Sequence, residues 1–505
     1  MINSVVEIFN RTVSEHGKKT AAIDPVRSVT WEELQKEAFC FADLIDSVTE
    51  TGKTGFPVAV FANKSVSLLS CITGVICSGG FYVYINPELT NARIETVLSV
   101  LEPACVLTED ALISRMKGIT EKYRTIPFSE ASGRNQDRNY TPRKDINRET
   151  PLYGMFTSGS TGVPKCVLVP HGAAMDFILH FTGIFGFTSD DVIGNQAPFD
   201  FDVSIKDIVT AFFTGAALVL IPTEYFVTPA RLLDYLIDNN VTSLTWAVSA
   251  LCLVSGLKGF TYKVPDKIKR VMFSGEVMPM KQLAIWQENL PDAKFVNLYG
   301  PSEITCNCTY YELNRRYSLD EKLPIGRPFP GRTVRLLDSD GAEITAPGVT
   351  GEICVCGESL AIGYYRDEEQ TNKAFVTYKD KNGNECRMYK SGDLAFIGDD
   401  GELYFAGRKD FQIKHMGHRI ELEEIEGHIN SVEGVERSVC AFDASHDRLS
   451  AFYTGTIGKT ELHGILKETL PLFMIPGKIA HVKKFVIGKN GKLDRKSLSE
   501  LETVE

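Results

Sequence analysis

The chain has 505 residues, 43% of them hydrophobic and 24% charged, with 54 Lys and Arg against 65 Asp and Glu for a net charge of −11. That length exceeds one core and predicts two or more domains, while the composition is that of an ordinary soluble globular protein. The acidic balance excludes DNA or RNA as the main partner, because nucleic acid contacts need a basic face; a local positive pocket still allows ATP.

In chain order, the first residues carry Glu7, Arg11, Glu15 and Lys18 and lack the apolar run of a signal peptide. Residues 58–61 predict a central strand. Residues 65–87 hold no charge and are long enough to span a bilayer, but Gly79-Gly80 divides them and Ser65, Ser67, Ser70, Ser78 and Asn86 dilute them. The expectation there is a buried helix followed by a buried strand, with no membrane span. From about residue 30 to residue 300, helical and strand-like stretches alternate, which predicts α/β layering with further central strands at 217–221 and 270–273.

The stretch Thr157-Ser158-Gly159-Ser160-Thr161-Gly162-Val163-Pro164-Lys165 combines hydroxyls, glycines and a terminal cation. Glycines let backbone N–H groups approach polyphosphate, hydroxyls donate to its oxygens and the lysine offsets its charge. This stretch holds no Gly-Lys-Ser/Thr and Pro164 precedes its lysine, which excludes a Walker A loop here. Apolar residues 152–156 and 166–169 flank the stretch as short strands, so the loop joins strands rather than opening a helix. Seen alone, it also reads as a Ser/Gly surface turn.

Ile205, Ile208, Val209 and Phe212 follow helical spacing, so a helix begins near Val203 and Asp202 stands at its start, an N-cap position. Residues 295–298 predict a strand leading to Tyr299-Gly300-Pro301-Ser302-Glu303, where an aromatic face meets a hard oxygen ligand suited to Mg²⁺. Residues 332–365 change to short alternating strands with turns at Asp340-Gly341 and Pro347-Gly348. Asp393 follows Ser391-Gly392, a carboxylate that can accept two ribose hydroxyls or close an Asx-turn. After Gly407-Arg408-Lys409-Asp410 an acidic helix (421–429), two strands (438–442 and 449–453), a helix (461–470) and a last strand (479–486) predict a separate small α+β unit. Lys492 falls in a turn after Asn490-Gly491. The twelve cysteines lack paired zinc-ligand spacing; Cys354 and Cys356, like Cys306 and Cys308, alternate as if within strands. Small buried or half-buried thiols in a reducing cytosol are expected.

Taken in order, TSGSTGVPK, YGPSE at 299–303, YKSGD at 389–393, GRKDFQIKHMGHRIELEEIE at 407–426 and NGKLDRK at 490–496 resemble the motifs of adenylate-forming enzymes. That group holds acyl-CoA synthetases, luciferases and peptide-synthetase adenylation domains, and the match runs nearly the full length. The resemblance implies a large multi-layer α/β N-terminal domain over residues 1–409 and a small mobile α+β domain over 410–505, with Asp410 as the hinge. It places ATP against Thr157, Ser158, Gly159, Ser160, Thr161, Gly162, Lys165, Gly275, Glu276, Tyr299, Gly300, Ser302, Asp393, Arg408 and Lys492. Lys492, Arg408 and Thr161 are the implied catalytic groups, and Glu303 the implied Mg²⁺ ligand. Lys492 would bridge the substrate carboxylate and the α-phosphate; in the second half-reaction residues 414–419 would face the site instead.

In the amino-acid-activating branch, an aspartate at the position of Asp202 pairs with the substrate α-ammonium. The implied pocket adds Val203, Lys206, Met272, Ser274, Leu298, Cys306 and Asn307. Lys206 is unusual for a small neutral substrate; it can pair with an acidic substrate side chain, or sit solvated or Asp-paired on its helix. Within this branch the chain resembles D-alanine–D-alanyl carrier protein ligases, notably at Phe273-Ser274-Gly275-Glu276-Val277. It departs from them at Ser274, where a cysteine is usual, and Cys166 replaces a glycine common after the loop lysine. The expected activity is ATP-dependent formation of an aminoacyl-AMP, with D-alanine the first candidate, and transfer to the phosphopantetheine thiol of a carrier protein. With the sequence ending soon after Lys496, a carrier on a separate chain is expected. The alternatives are a peptide-synthetase enzyme for another amino acid, an acyl-CoA ligase acting on an acid without an amino group, and a non-catalytic nucleotide-binding scaffold.

Overall fold

The structure, a computed structural model, describes residues 2–49, 53–119, 121–132, 134, 140–159, 164–380, 382–443, 446–485 and 498. The chain divides into two units, one of residues 1–87, 102–155 and 167–409, the other of residues 88–101, 156–166 and 410–505.

Among the described residues, the larger unit is α/β with three main sheets. The first orders its strands as 327–328, 309–312, 294–299, 270–274, 243–247, 192–195, 217–220, 20–23 and 28–30. Its six consecutive strands from 294–299 to 20–23 are parallel. Parallel strands are covered on both faces, which is why Val271-Met272-Phe273 and Phe295-Val296 are apolar without alternation and fully buried. The second sheet runs 363–364, 165–170, 151–157, 81–85, 57–61, 105–108 and 125–127. The third is antiparallel, pairing 343–344, 332–337, 351–357, 385–397 and 375–379 in order, with 403–408 beside 385–397.

The uncharged segment forms the buried helix Val66–Cys77, capped by Ser65 Oγ accepting from Leu68 N, and the buried strand Phe81–Ile85. Gly74 lets this helix abut the helix Trp31–Val48: a Cβ there would stand 2.5 Å from Phe41 Cβ and 2.6 Å from Ala38 O. The segment is uncharged because it is core on every side. Among the described residues no helix is long and apolar enough to cross a membrane.

Three expectations are corrected. Cys306 and Cys308 lie in a loop, with Thr305 and Cys306 at φ of 55° and 70°, and the strand begins only at Thr309. Cys356 and Cys386 are joined across neighbouring strands with Cα atoms 6.4 Å apart, rather than standing as free thiols. Asp202 is the first residue of the helix Asp202–Thr214, whose N-cap is Phe201.

The smaller unit is α+β. A hairpin pairs Gln412–His415 with His418–Glu421 around Met416 and Gly417, both at positive φ, as tight two-residue hairpin turns require. The helix Leu422–Asn430 follows, then the antiparallel strands Val435–Asp443 and Arg448–Gly455, the helix Lys459–Thr469 and the strand Lys478–His481, parallel to Arg448–Gly455. Its core centres on Ile420, Ile425, Ile429, Tyr453, Leu462 and Leu466. The last expected strand is seen at 478–481; its end from 486 lies outside the described residues.

Candidate active site

In the larger unit Asn195, Ala247, Ser274 and Tyr299 end four parallel strands of the first sheet. In open α/β sheets ligands gather beyond these carboxyl ends. The loop leaving Tyr299 turns back at once, closed by Cys308 N donating to Tyr299 O at 2.8 Å. Gly300 permits the closure, because a Cβ there would meet Asn307 Cα at 2.5 Å, Cys306 O at 2.7 Å and Cys308 N at 2.8 Å. Left-handed backbone at Thr305 and Cys306 costs about 1–3 kcal/mol each and persists only where surroundings enforce it. Here Thr305 Oγ1 donates to Ser359 O at 2.7 Å and Cys306 Sγ to Asp202 O at 3.1 Å.

One end of this loop meets Asp393 and Arg408. Tyr299 Oη donates to Asp393 Oδ2 at 2.5 Å, and Arg408 Nη1 pairs with Asp393 Oδ1 at 2.5 Å. Strand pairing sets Asp393 directly across from Arg408. Ser391 Oγ accepts from Asp393 N at 3.0 Å and donates to Ile353 O at 2.7 Å, which fixes the turn that sequence reading treated as an Asx candidate. Burial, then the Asp393 charge, pushes the Tyr299 hydroxyl well above its ordinary range, so it remains a donor. Glu303, on the short helix Ser302–Ile304, is buried and accepts from Tyr364 Oη at 2.8 Å through Oε1. Tyr364 was missed in the sequence because nothing there links it to a carboxylate 61 residues earlier.

The other end of the loop meets the helix Asp202–Thr214. Cys306 holds the Asp202 carbonyl, and Asn307 Oδ1 accepts from Lys206 Nζ at 2.8 Å. Behind Lys206, Asp207 accepts from Asn195 Nδ2 at 3.0 Å, and Lys64 Nζ donates to Gln196 O at 2.9 Å. Burial lowers the pKa of Lys206, raises Asp207 to about 7, lowers Lys64 to about 7 and pushes the Cys306 thiol well up. Asp207 and Asp202 act on buried Lys206 as charges, which fits the Asp-paired reading of this lysine rather than the solvated one. Met272, Leu298 and Ser274 are buried; Val203, Glu276 and Ser302 are half-buried, and Gly275 has φ of 100°.

In the smaller unit the flanks of the hydroxyl-rich loop are tied down. Thr157 Oγ1 donates to Lys165 O at 3.5 Å. Ser158 Oγ donates to Arg419 O at 2.8 Å and accepts from Glu421 N at 2.9 Å. Gly159 N donates to Glu424 Oε2 at 3.3 Å, and Glu424 Oε1 pairs with Arg93 Nη1 at 2.5 Å, its side chain fully buried. Burial raises the pKa of Glu424 while Arg93 opposes that shift. Arg93 carries no sequence signal for this role. Asp410 accepts from Gln412 N at 3.3 Å. Ser160, Thr161, Gly162 and Lys492 lie outside the described residues.

A sequence model of the family described as AMP-binding enzyme matches residues 9–365. The chain belongs to the AMP-binding enzyme family. Among curated relatives of this AMP-binding enzyme, bacitracin synthase 1 of Bacillus licheniformis is 31% identical over 500 residues, which is 98% of this chain but 9% of that synthase. The chain thus spans less than a tenth of the length of the bacitracin synthases it matches. Zwittermicin A synthase ZmaJ of Bacillus cereus is 28% identical over 517 residues, covering 99% of this chain and 95% of its own. In fold, the chain is similar to holo-PA1221, an NRPS protein containing adenylation and PCP domains, with a TM-score of 0.86 at 23% identity over 99% of this chain and 84% of that one.

Proposed function

We propose that the chain activates an amino acid with ATP and passes it to a carrier-borne phosphopantetheine thiol. A carboxylate oxygen of the amino acid attacks the α-phosphorus, the bond to the β-phosphate breaks and pyrophosphate leaves. In the second step the thiol attacks the acyl carbon, the bond to AMP breaks and the thioester forms. The observation that carries this reading is the single loop 299–308. Its first residue grips Asp393, its Glu303 is set by Tyr364, and its Cys306 and Asn307 grip the helix that begins at Asp202.

Bringing a carboxylate to a polyanion is the main barrier, and preorganised donors and cations lower it. Asp393, held by Arg408, would take the ribose hydroxyls, while the loop 157–165 and Lys492 would take the phosphates. A buried carboxylate oriented by a tyrosine fits Mg²⁺, which favours one or two carboxylates beside substrate phosphates. Glu303 would hold that ion, and its charge would offset that of the phosphates. Asp202 would pair with the α-ammonium, and Asp410 would pivot the small unit between half-reactions. D-alanine stands first on the resemblance of residues 273–277 alone. Two relatives that the chain matches over nearly its whole length are named as synthases, of bacitracin and of zwittermicin A.

The test compares acceptors and two variants. Holo-carrier protein, not free CoA, should collect the acyl group. Lys492→Ala should lose adenylate formation, and Asp202→Asn should lose amino-acid-dependent exchange. CoA as the better acceptor, with full activity in Asp202→Asn, would move the chain to the acyl-CoA ligases.

A further inference from the structure

Lys64 lies between the strand Pro57–Phe61 of the second sheet and the helix Val66–Cys77. Its loop is fixed from two sides. Asn63 N and Nδ2 donate to Glu109 Oε2 at 3.1 and 2.9 Å, and Val66 N donates to Asp24 Oδ2 at 2.8 Å. From this base the half-buried Lys64 side chain reaches the first sheet, where Nζ donates to Gln196 O at 2.9 Å and Asn195 O at 3.3 Å. Both carbonyls stand where the parallel strand Val192–Asn195 ends. Burial lowers the pKa of Lys64 to about 7, and the charges of Asp207, Glu224 and Asp200 oppose that fall. Hydrogen bonds from an ammonium are about twice as strong as neutral ones, so two main-chain carbonyls held this way are firmly placed.

What they place is the turn into Asp202. Gln196 Oε1 accepts from Ala247 N at 3.2 Å, at the end of the neighbouring strand Ser243–Ala247. Asn195 Oδ1 faces Lys64 Nζ at 3.5 Å, and Asn195 Nδ2 donates to Asp207 Oδ2 on the helix that Asp202 opens. Residues 197–201 are thus tied at both ends, at one through Gln196 and Lys64, at the other through Asp207. Between the ties Phe201 N donates to Pro198 O at 3.1 Å, and buried Phe199 meets Tyr84 edge-on. We propose that Lys64 is a positioning residue for the amino-acid end of the site: by clamping Asn195 and Gln196 it sets where Asp202 stands. This rests on the reading of Asp202 as the partner of the substrate α-ammonium and deepens it. Without Lys64 the Asn195 carbonyl keeps Ile221 N as donor at 3.1 Å, whereas the Gln196 carbonyl loses the lysine and its turn is released to shift.

The experiment measures ATP–pyrophosphate exchange over the D- and L-forms of the common amino acids, D-alanine first, and carries the best of them into Lys64→Met, Lys64→Arg and Gln196→Met. Lys64→Met keeps the length of the side chain without its donors. The KM for the amino acid should rise about 10- to 100-fold, the scale expected when groups that position substrate shift by near 1 Å, while the KM for ATP holds. Lys64→Arg restores a cation with donors for two carbonyls and should bring the KM back toward that of the unaltered protein. Gln196→Met cuts the bond from Ala247 N with the lysine in place, and should show the same split even where Lys64→Met does not fold. An amino-acid KM unchanged in either Met variant, a rise matched by the KM for ATP, or Lys64→Arg no better than Lys64→Met overturns this inference and leaves amino acid activation intact. Exchange driven by acids lacking the amino group, and by no amino acid, overturns the reading of Asp202 and this inference with it.

Discussion

Gly300→Ala is the sharpest probe of how the loop 299–308 is built. The added Cβ would stand 2.5 Å from Asn307 Cα, against an ordinary contact of at least 3.4 Å, a shortfall of 3.4 − 2.5 = 0.9 Å. All three nearest atoms are backbone, so no side chain can swing aside. Relief requires the loop to open at the bond from Cys308 N to Tyr299 O. Overpacking of this kind costs about 1–3 kcal/mol, a shift of a few degrees in Tm for a unit of this size. The larger effect should be on activity: a displacement near 1 Å of groups that position substrate costs about 10²-fold. Thermal melting and pyrophosphate exchange measure the two effects side by side. Gly183→Ala is the control, since Gly183 lies exposed in the helix His171–Phe185 with nothing within 4 Å of its would-be Cβ. That change should be neutral or slightly stabilising. If Gly300→Ala melts and exchanges like the unaltered protein, the loop does not couple the two halves of the site as argued.

Tyr364→Phe removes the donor to buried Glu303, a loss of about 1.5–3 kcal/mol for a charged acceptor; the Mg²⁺ concentration for half-maximal exchange should rise, and an unchanged Mg²⁺ dependence would remove Glu303 from the metal role. His171 is buried with Nδ1 accepting from Val5 N at 3.1 Å, and burial pushes its pKa from 6.5 down to about 3. Its contribution to stability is therefore full above pH 6.5 and is lost as pH falls toward 3, at about 1.4 kcal/mol per pH unit. His171→Gln should flatten the fall in Tm between pH 6.5 and 5, whereas parallel curves would contradict the assignment. Arg93→Met strands the buried Glu424 carboxylate, at a cost of about 3–5 kcal/mol in urea unfolding of the smaller unit. The double change with Glu424→Leu should recover much of that; a double variant no better than the single would show that the pair is not the source of the loss.

Much of this architecture was legible because local pattern and tertiary demand agree. The strand segments 58–61, 217–220 and 271–273 are runs of β-branched and apolar residues that only burial on both faces explains. Residues 65–87 were read as core by their glycine pair and scattered serines, and Ser65 proved to be a cap. Tyr299 and Asp393 stand in separate ordered motifs, and the structure brings them together; Lys492, in the last motif, lies outside the described residues. What stayed hidden depends on distance along the chain. Tyr364 meets Glu303 across 61 residues, and Arg93 meets Glu424 across 331. Neither pair leaves a periodic trace. The left-handed turn at Thr305 and Cys306 was misread as strand because alternation of apolar thiols mimics a period of two, while the actual cause is closure of the loop on Gly300. The burial of Lys206 was equally invisible, since lysine on a helix is solvated far more often than not.

The most direct test of the account is substrate-dependent ATP–pyrophosphate exchange over D- and L-amino acids, with fatty and aryl acids as controls. The account predicts exchange with an amino acid and none with its counterpart lacking the α-amino group, because Asp202 is expected to pair with that ammonium. Exchange driven only by acids without an amino group would contradict it.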